Sequence, residues 1–342
     1  MLTQETEARL MNAITQIEKS SLLKGDMGVC IFLFVKGRAD GNQKLTEEAE
    51  RILTRIAKVT GKNKDYDLTD GITGIGLGLS YLARNKYIEG DINDILADID
   101  ANVYKKFSLK TDFGGFTKMR LPLTDILMYY IKRYGETTSE NMRELQRRVM
   151  RDLMNTIYAE RDGMFYDEPY PFSLTKNRLC MFLYELATLY SMGMEQERIK
   201  LMLREMEYSL FSRRPALHAN RLALAAATAL VGKNTGLERW VTHAAELRSG
   251  ISIDKIFNEE MPDKCIFLLN GLVGLWLTAS FYNSVSDTNP VELDAEYLRQ
   301  RIINSSAWDR MTYDSDYVCR HYSLDGYCGV KLFLDHLERL QK

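Results

Sequence analysis

The chain contains little histidine, proline or cysteine, and each low count restricts the classes of protein to which it can belong. Only 4 histidines, 6 prolines and 5 cysteines occur among its 342 residues. An odd number of widely spaced cysteines argues against a disulfide framework and indicates a reducing compartment. Because proline interrupts helices, its scarcity suits a helical protein, as do 45% hydrophobic and 27% charged residues. The polar start Met1–Glu5 has no signal-peptide core, so we expect a cytoplasmic protein.

The chain also lacks an excess of charge and any long apolar run. Its net charge is −2, and its lysines and arginines are mixed with acids rather than clustered on one face, as a nucleic-acid surface requires. No apolar stretch approaches the roughly 18 residues of a membrane span. We therefore expect no nucleic-acid partner and no membrane span.

What the chain does contain is a repeat. A glycine-bearing segment leads into an apolar helical stretch seven times, at intervals of about 45–60 residues, which indicates one supersecondary unit used repeatedly. The clear copies are Lys24–Gly28, Asp70–Gly74, Asn270–Gly274 and Asp325–Gly329, and the weaker ones are Phe113–Phe116, Leu174–Leu183 and His218–Leu230.

Amphipathic stretches separate the copies. Ile92, Leu96, Ile99 and Val103 fall on one helical stripe. The pattern predicts an all-α protein, an (α/α) toroid of seven inner and seven outer helices, formed by residues 1–342 as a single domain.

The glycines of the inner helices suggest close packing. Gly71, Gly74 and Gly78 lie on one helical face, and glycine within a helix costs about 1 kcal/mol relative to alanine. We expect them to let a neighbouring backbone approach closely.

Seven glycine-led helices covering nearly the whole chain resemble the lanthionine synthetase C-like family, and Asp70–Gly78 is the most specific match. The resemblance implies a seven-fold α/α toroid that cyclises a dehydrated precursor peptide. In such proteins a cysteine thiol of the peptide adds to dehydroalanine or dehydrobutyrine and forms a thioether. The resemblance also implies zinc held by two cysteines and one histidine, which deprotonates the thiol, and a separate histidine that handles protons.

This sequence departs from the family at those positions. Where the sixth repeat should read Cys-His-Gly, it reads Leu269-Asn270-Gly271, and the fifth repeat, Pro215–Asn220, has no cysteine. The fourth repeat reads Ser173–Asn177 where the proton-handling histidine is expected. Leucine cannot bind a metal and asparagine is a poor zinc ligand. The usual zinc site is therefore predicted to be lost, and no cofactor is expected.

A displaced zinc site is the alternative. Cys319, His321 and Cys328 have a Cys-x-His-x₆-Cys spacing that can converge on one zinc ion, with His218 as a further donor. The plainer interpretation is that Cys328 packs as a small apolar side chain.

The remaining candidates describe a polar ligand surface at the repeat starts, suited to a precursor peptide or a small anionic ligand. Asp70 and Asp325 have a plainer role as helix N-caps, and the aromatic segment Phe165–Phe172 is either a lid or a cover for core. The predicted ligand-binding residues are Lys118, Lys176, Arg178, His218, Tyr166, Tyr170, Asp70 and Asp325.

Three functions follow from these observations. The first is a lanthionine synthetase C-like protein that binds or helps modify a precursor peptide after losing zinc. The second is an active cyclase whose zinc has moved to the seventh repeat. The third is a carbohydrate-active α/α barrel with two catalytic carboxylates, which the count of seven repeats disfavours.

Overall fold

The computed structural model describes residues 4–60, 63, 65–108, 122–165, 168–169, 171–287 and 289–340. These residues form helices and connecting loops, with no β-strand among them. No helix in these ranges is both long and apolar enough to cross a membrane. The chain packs as two compact units, the first made of residues 1–143 and 308–342 and the second of residues 144–307.

Inner and outer helices alternate along the chain, and a π-helical turn, Ile256–Glu260, follows the short helix Ile253–Lys255. In chain order the helices are α1 (Gln4–Thr15), α2 (Asp26–Asp40), α3 (Gln43–Val59), α4 (Ile72–Arg84), α5 (Ile92–Ser108), α6 (Leu123–Glu136), α7 (Glu140–Ala159), α8 (Arg161–Met164), α9 (Arg178–Ser191), α10 (Gln196–Phe211), α11 (His218–Thr235), α12 (Glu238–Ser249), α13 (Ile253–Lys255), α14 (Leu272–Val285), α15 (Ala295–Ile303), α16 (Ser306–Tyr313), α17 (Ser315–Val318) and α18 (Tyr327–Leu340).

The two kinds of helix differ in burial, as their sequences predict. The inner helices α2 and α11 are buried over most of their length. The outer helix α3 instead buries one stripe, which includes Ala49, Ile52 and Ile56, and turns its charged residues outwards. A stripe of this kind is what an amphipathic surface helix needs in order to pack on a core.

In the first unit, the inner helices α18, α2, α4 and α6 pack in succession, while α3 and α5 cover α2 and α4. The last helix of the chain therefore lies beside the first inner helix. Tyr327 at the start of α18 is fully buried, stacks on Trp308 with ring centroids 5.9 Å apart and meets the edge of Phe32.

In the second unit, α11 is the central helix. It packs against the inner helices α9 and α14 and the outer helix α12. The indole of Trp240 on α12 is fully buried, and its Nε1 donates a hydrogen bond of 3.1 Å to the Glu207 carboxylate. This arrangement places the first turn of α11 between the loops that precede α9 and α14.

At the start of the inner helices that follow a glycine pair, the preceding loop folds back over the first helical turn. Glycine is found there because a side chain would collide with that loop. The backbone N–H of Ile72 donates to the carbonyl of Asp65 at 2.9 Å, and that of Leu272 donates to Cys265 at 3.0 Å. A methyl group added at Gly74 would overlap the carbonyl oxygen of Leu68, six residues earlier. Glycine is therefore required for the approach of this loop.

The expectation about the glycine face of α4 needs correction. Gly71 and Gly74 meet the loop that precedes their own helix, and not the backbone of a neighbouring helix. Gly78 does face α2, but through the side chain of Met27. The glycines therefore make room for a loop and for a side chain. They do not bring two helix backbones into contact.

The weaker repeats differ in where the helix begins. The segment Phe113–Phe116 lies outside the described residues, and the inner helix that follows it begins at Leu123, after Pro122. The fourth inner helix begins at Arg178, later than the predicted stretch, and the fifth begins at His218 as predicted.

Candidate functional site

The first turn of α11 is capped by two carboxylates in place of a glycine loop. Glu168 accepts hydrogen bonds from the backbone N–H groups of Ala216 and Leu217, at 2.9 and 3.0 Å. Glu260, on the π-helical turn, accepts from the N–H groups of His218 and Ala219. Helix N-termini leave such N–H groups unsatisfied and carry partial positive charge, so both carboxylates are well placed.

His218 at the start of α11 is half-buried and already engaged. Its Nδ1 accepts a hydrogen bond from the backbone N–H of Ser252 at 3.2 Å and lies 3.4 Å from the guanidinium of Arg221. An Nδ1 that accepts from a backbone N–H carries no proton, so the neutral ring has its proton on Nε2. Only Nε2 of this predicted ligand-binding residue is open to a ligand.

Arg221 ties the surrounding loops to α11. Its guanidinium donates to the carbonyl of Gly250 and, at 2.8 Å, to the carbonyl of Pro215. Burial, together with the positive charge of Arg214, lowers the pKa of Arg221. The start of α11 is thus held to its loops by hydrogen bonds, and the charge of a second guanidinium group acts on Arg221 there.

A cavity of about 260 Å³ opens beside this region, between the starts of α9 and α11 and the end of α10. Asn177, Cys180 and Asn220 contribute polar groups to its wall, and Arg213 and Arg214 contribute positive charge. Burial raises the pKa of the Cys180 thiol to about 12, so this thiol stays protonated at neutral pH. The cavity therefore offers hydrogen bonding and charge rather than a nucleophile.

The fourth and sixth repeats meet through two leucines. The backbone N–H of Leu174 donates to the carbonyl of Leu269 at 2.9 Å, and the Leu174 side chain packs against Gly274. Leu269 is buried, whereas the neighbouring Asn270 is exposed. The family resemblance implies two zinc ligands at Leu269 and Asn270, and a proton-handling histidine within the segment Ser173–Asn177 that contains Leu174. The donor set present does not fit zinc, because the Leu269 side chain carries no donor atom and asparagine is a poor zinc ligand.

The proposed relocated zinc site is not formed. Among the residues that the structure describes, no three His, Cys, Asp or Glu side chains are grouped to hold a metal ion. Cys319 is exposed, while Cys328 is fully buried and its pKa is raised well above the usual range by burial. His321 packs on the Tyr317 ring, and burial and nearby positive charge lower its pKa. Cys328 packs as a small apolar side chain.

The predicted ligand-binding residues are spread over both units. Lys176 is exposed and Arg178 is half-buried at the start of α9, in the unit that also holds His218. The three candidates Lys118, Tyr166 and Tyr170 lie outside the described residues.

Asp70 and Asp325 belong to the first unit and flank Leu23. Leu23 donates its N–H to Thr69 at 3.2 Å, and its carbonyl accepts from Asp325 at 2.7 Å. Asp70 pairs with Lys19 at 2.8 Å, and no side chain caps α4, whose N-cap is Gly71. The prediction that Asp70 caps this helix is therefore wrong, because the loop carbonyls already satisfy the first turn.

Comparison with known proteins agrees with this architecture. A family model described as lanthionine synthetase C-like protein matches residues 3–118. Among solved structures, a nisin cyclase superposes with a TM-score of 0.63 at 12% identity, covering 98% of this chain and 93% of that chain. At that identity the likeness concerns the fold. The comparison with curated proteins gives no sequence match.

These comparisons define the fold. The predicted all-α class with the α/α toroid fold is confirmed by the match to nisin cyclase. The match to the lanthionine synthetase C-like family model extends over residues 3–118, and over the rest of the chain the likeness is one of fold.

Proposed function

We propose that this protein binds a ribosomally made precursor peptide, or takes part in its modification, without the zinc ion that the family resemblance implies. The observation that carries the proposal is that Leu269 and Asn270 occupy the two implied zinc-ligand positions of the sixth repeat, and that Leu269 is buried and bonded through its backbone to Leu174. The loss of metal ligands does not by itself remove a binding surface.

The chemistry of the thiols supports the same proposal. Bound zinc would deprotonate the peptide cysteine, whose pKa is otherwise about 8.5. Among the described groups, the thiols of Cys180 and Cys328 have raised pKa values, and His321 has a lowered one. None of these three groups is suited to take a proton from a thiol at neutral pH.

Three further observations support a peptide ligand inside the cell. The structural relative is named a nisin cyclase, and the family resemblance implies a peptide substrate. Lys176 is an exposed positive charge at the start of an inner helix. All five cysteines are free thiols, as expected of a protein in the reducing cytoplasm.

The test combines binding and turnover. Random peptides displayed on phage are selected on the purified protein, and the affinity of the selected peptides is measured by fluorescence anisotropy. We expect Lys176→Glu to weaken binding by about threefold to tenfold, since charge reversal at an interface rim adds repulsion. Lys58→Glu, on the exposed face of α3, is the matched control and should bind as the wild type does.

Turnover is measured with a synthetic peptide that carries one cysteine and one dehydroalanine. The thioether should form no faster than without protein, and dialysed protein should retain no stoichiometric zinc. One zinc per chain together with accelerated cyclisation would contradict the proposal and support an active cyclase. Failure to select any peptide on folded protein would contradict the binding role.

A further inference from the structure

A residue in the wall of the cavity beside α11 has an unused hydrogen-bond acceptor. Asn220 is fully buried and lines the cavity. Its Nδ2 donates to the Glu168 carboxylate at 3.0 Å and to the Pro169 carbonyl at 2.8 Å, whereas its Oδ1 has no partner. Both neighbours of Nδ2 can only accept, so the amide cannot be turned around.

A buried acceptor without a donor costs free energy. The cavity is therefore a place where a ligand N–H or O–H gains a hydrogen bond that the protein does not supply. The Glu168 carboxylate differs from Asn220 Oδ1, because its two oxygens already accept hydrogen bonds from Ala216, Leu217 and Asn220. Asn220 Oδ1 accepts none.

The other cavity walls define the rest of the ligand. Arg214 is exposed, lies against Gly250 and has no hydrogen bond or ion pair to any described residue, so it can pair with an anion. The side chains of Phe165, Met206 and Leu210 form an apolar wall. The volume of about 260 Å³ is slightly smaller than the roughly 300–1,000 Å³ of pockets for drug-sized ligands, which suits a ligand of one or two residues.

A donor, an anion and an apolar group together describe an α-amino acid unit with a free carboxylate. We propose that the cavity binds the C-terminal residue of a peptide. Its main-chain N–H donates to Asn220 Oδ1, its carboxylate pairs with Arg214, and its apolar side chain enters between Phe165, Met206 and Leu210. This inference rests on the proposed peptide-binding function and names the part of the peptide that is recognised.

The probe is N-acetyl-L-leucine, which presents all three groups, and its binding is measured by titration calorimetry. N-acetyl-L-leucinamide lacks the carboxylate and should bind at least about tenfold more weakly, which corresponds to about 1.4 kcal/mol. Free L-leucine has an ammonium group in place of the amide, and it should also bind more weakly because the positive charges of Arg213 and Arg214 in the wall repel that group. Leucine binding as tightly as the acetylated probe would overturn the assignment to a peptide terminus.

Two variants connect binding to the cavity. Ser209→Leu fills it, because Ser209 lines its wall, and Ser212→Leu makes the same change one turn later outside it. We expect the first to abolish binding and the second to leave it unchanged, with thermal melting confirming that both are folded. Equal binding by both variants would refute the cavity as the site.

Arg214→Gln keeps the inference testable if Ser209→Leu does not fold. It should reduce the affinity for the acid to that for the amide and leave the affinity for the amide unchanged. If the acid does not bind to wild type while selected peptides still depend on Lys176, the cavity assignment fails and the proposed function stands. If the acid binds but no peptide is selected, the proposed function fails instead.

Discussion

At the scale of single residues, His243 is a neutral imidazole held in an apolar place. It is buried on α12 and stacks on Phe211 with ring centroids 4.2 Å apart. Burial lowers its pKa, and Glu246, 3.6 Å from Nδ1, opposes this only in part. The unfolded chain therefore binds a proton at higher pH than the folded protein does.

This difference makes the protein sensitive to mild acid. Between the unfolded pKa of about 6.5 and the lower folded value, the unfolded state binds more protons, so stability falls as the pH falls. We expect His243→Phe, which keeps the stacking, to lose less stability between pH 7 and pH 5 than the wild type does. Urea denaturation at pH 7 and at pH 5 measures the free energy of unfolding of both proteins.

The exposed His336 provides the control for this prediction. His336→Gln also removes one imidazole, and an equal change in pH dependence in both variants would show that the effect is not specific to His243. An identical loss of stability with acid in the wild type and in His243→Phe would show that His243 is not responsible.

The sequence predicts the candidate site unevenly at this scale. Leu269 and Asn270 can be recognised from the sequence alone, because they occupy a repeat position whose expected chemistry is known. Asn220 and Glu168 cannot, since their hydrogen bond joins residues 52 positions apart and no local pattern announces it. In the sequence, nothing distinguishes Asn220 from other polar residues of the fifth repeat. The fold brings it next to its two hydrogen-bond acceptors, the Glu168 carboxylate and the Pro169 carbonyl.

At the scale of helices, the glycine pairs act through contact with the loop before each helix. We predict that Gly74→Ala lowers the free energy of unfolding by about 1–3 kcal/mol, because the new methyl group overlaps the Leu68 carbonyl. Gly135→Ala, in α6, meets no atom within 4 Å and should instead raise stability by about 0.5–1 kcal/mol. Urea denaturation of the two variants compares the same substitution in both settings. A similar effect of both would show that helix propensity alone governs these glycines.

The same contact explains which helices could be predicted. The loop carbonyl of Leu68 lies six residues before Gly74, so the requirement for glycine is local and visible in the sequence. At α11 the cap comes from Glu168 and Glu260, about 40–50 residues from the N–H groups they accept from. Because these carboxylates cap α11, no loop has to approach its first turn and glycine is not required there. The fifth repeat can therefore lack the glycine motif and still form its helix.

At the scale of the whole molecule, the sequence predicts a single domain, and its unfolding can test this. Trp308 belongs to the first compact unit and Trp240 to the second. We predict that fluorescence of variants keeping only one of them, with the other tryptophans changed to phenylalanine, follows far-ultraviolet circular dichroism through one shared transition in urea. Two separated transitions within one variant would show that the units unfold independently.

The first unit is discontinuous in sequence, and its distant parts are bonded to each other. The hydroxyl of Ser323 donates to the carbonyl of Gly25 at 2.7 Å, and Lys36 pairs with Asp335 at 3.0 Å, across 298 and 299 positions. On the ribosome, the helices of residues 1–143 emerge long before their partner α18 exists. At about 5–20 residues per second, residues 144–307 alone take roughly ten to thirty seconds to synthesise. During that interval the apolar flank of α2 that α18 will cover is open, and exposed apolar surface of this kind favours aggregation of the nascent chain.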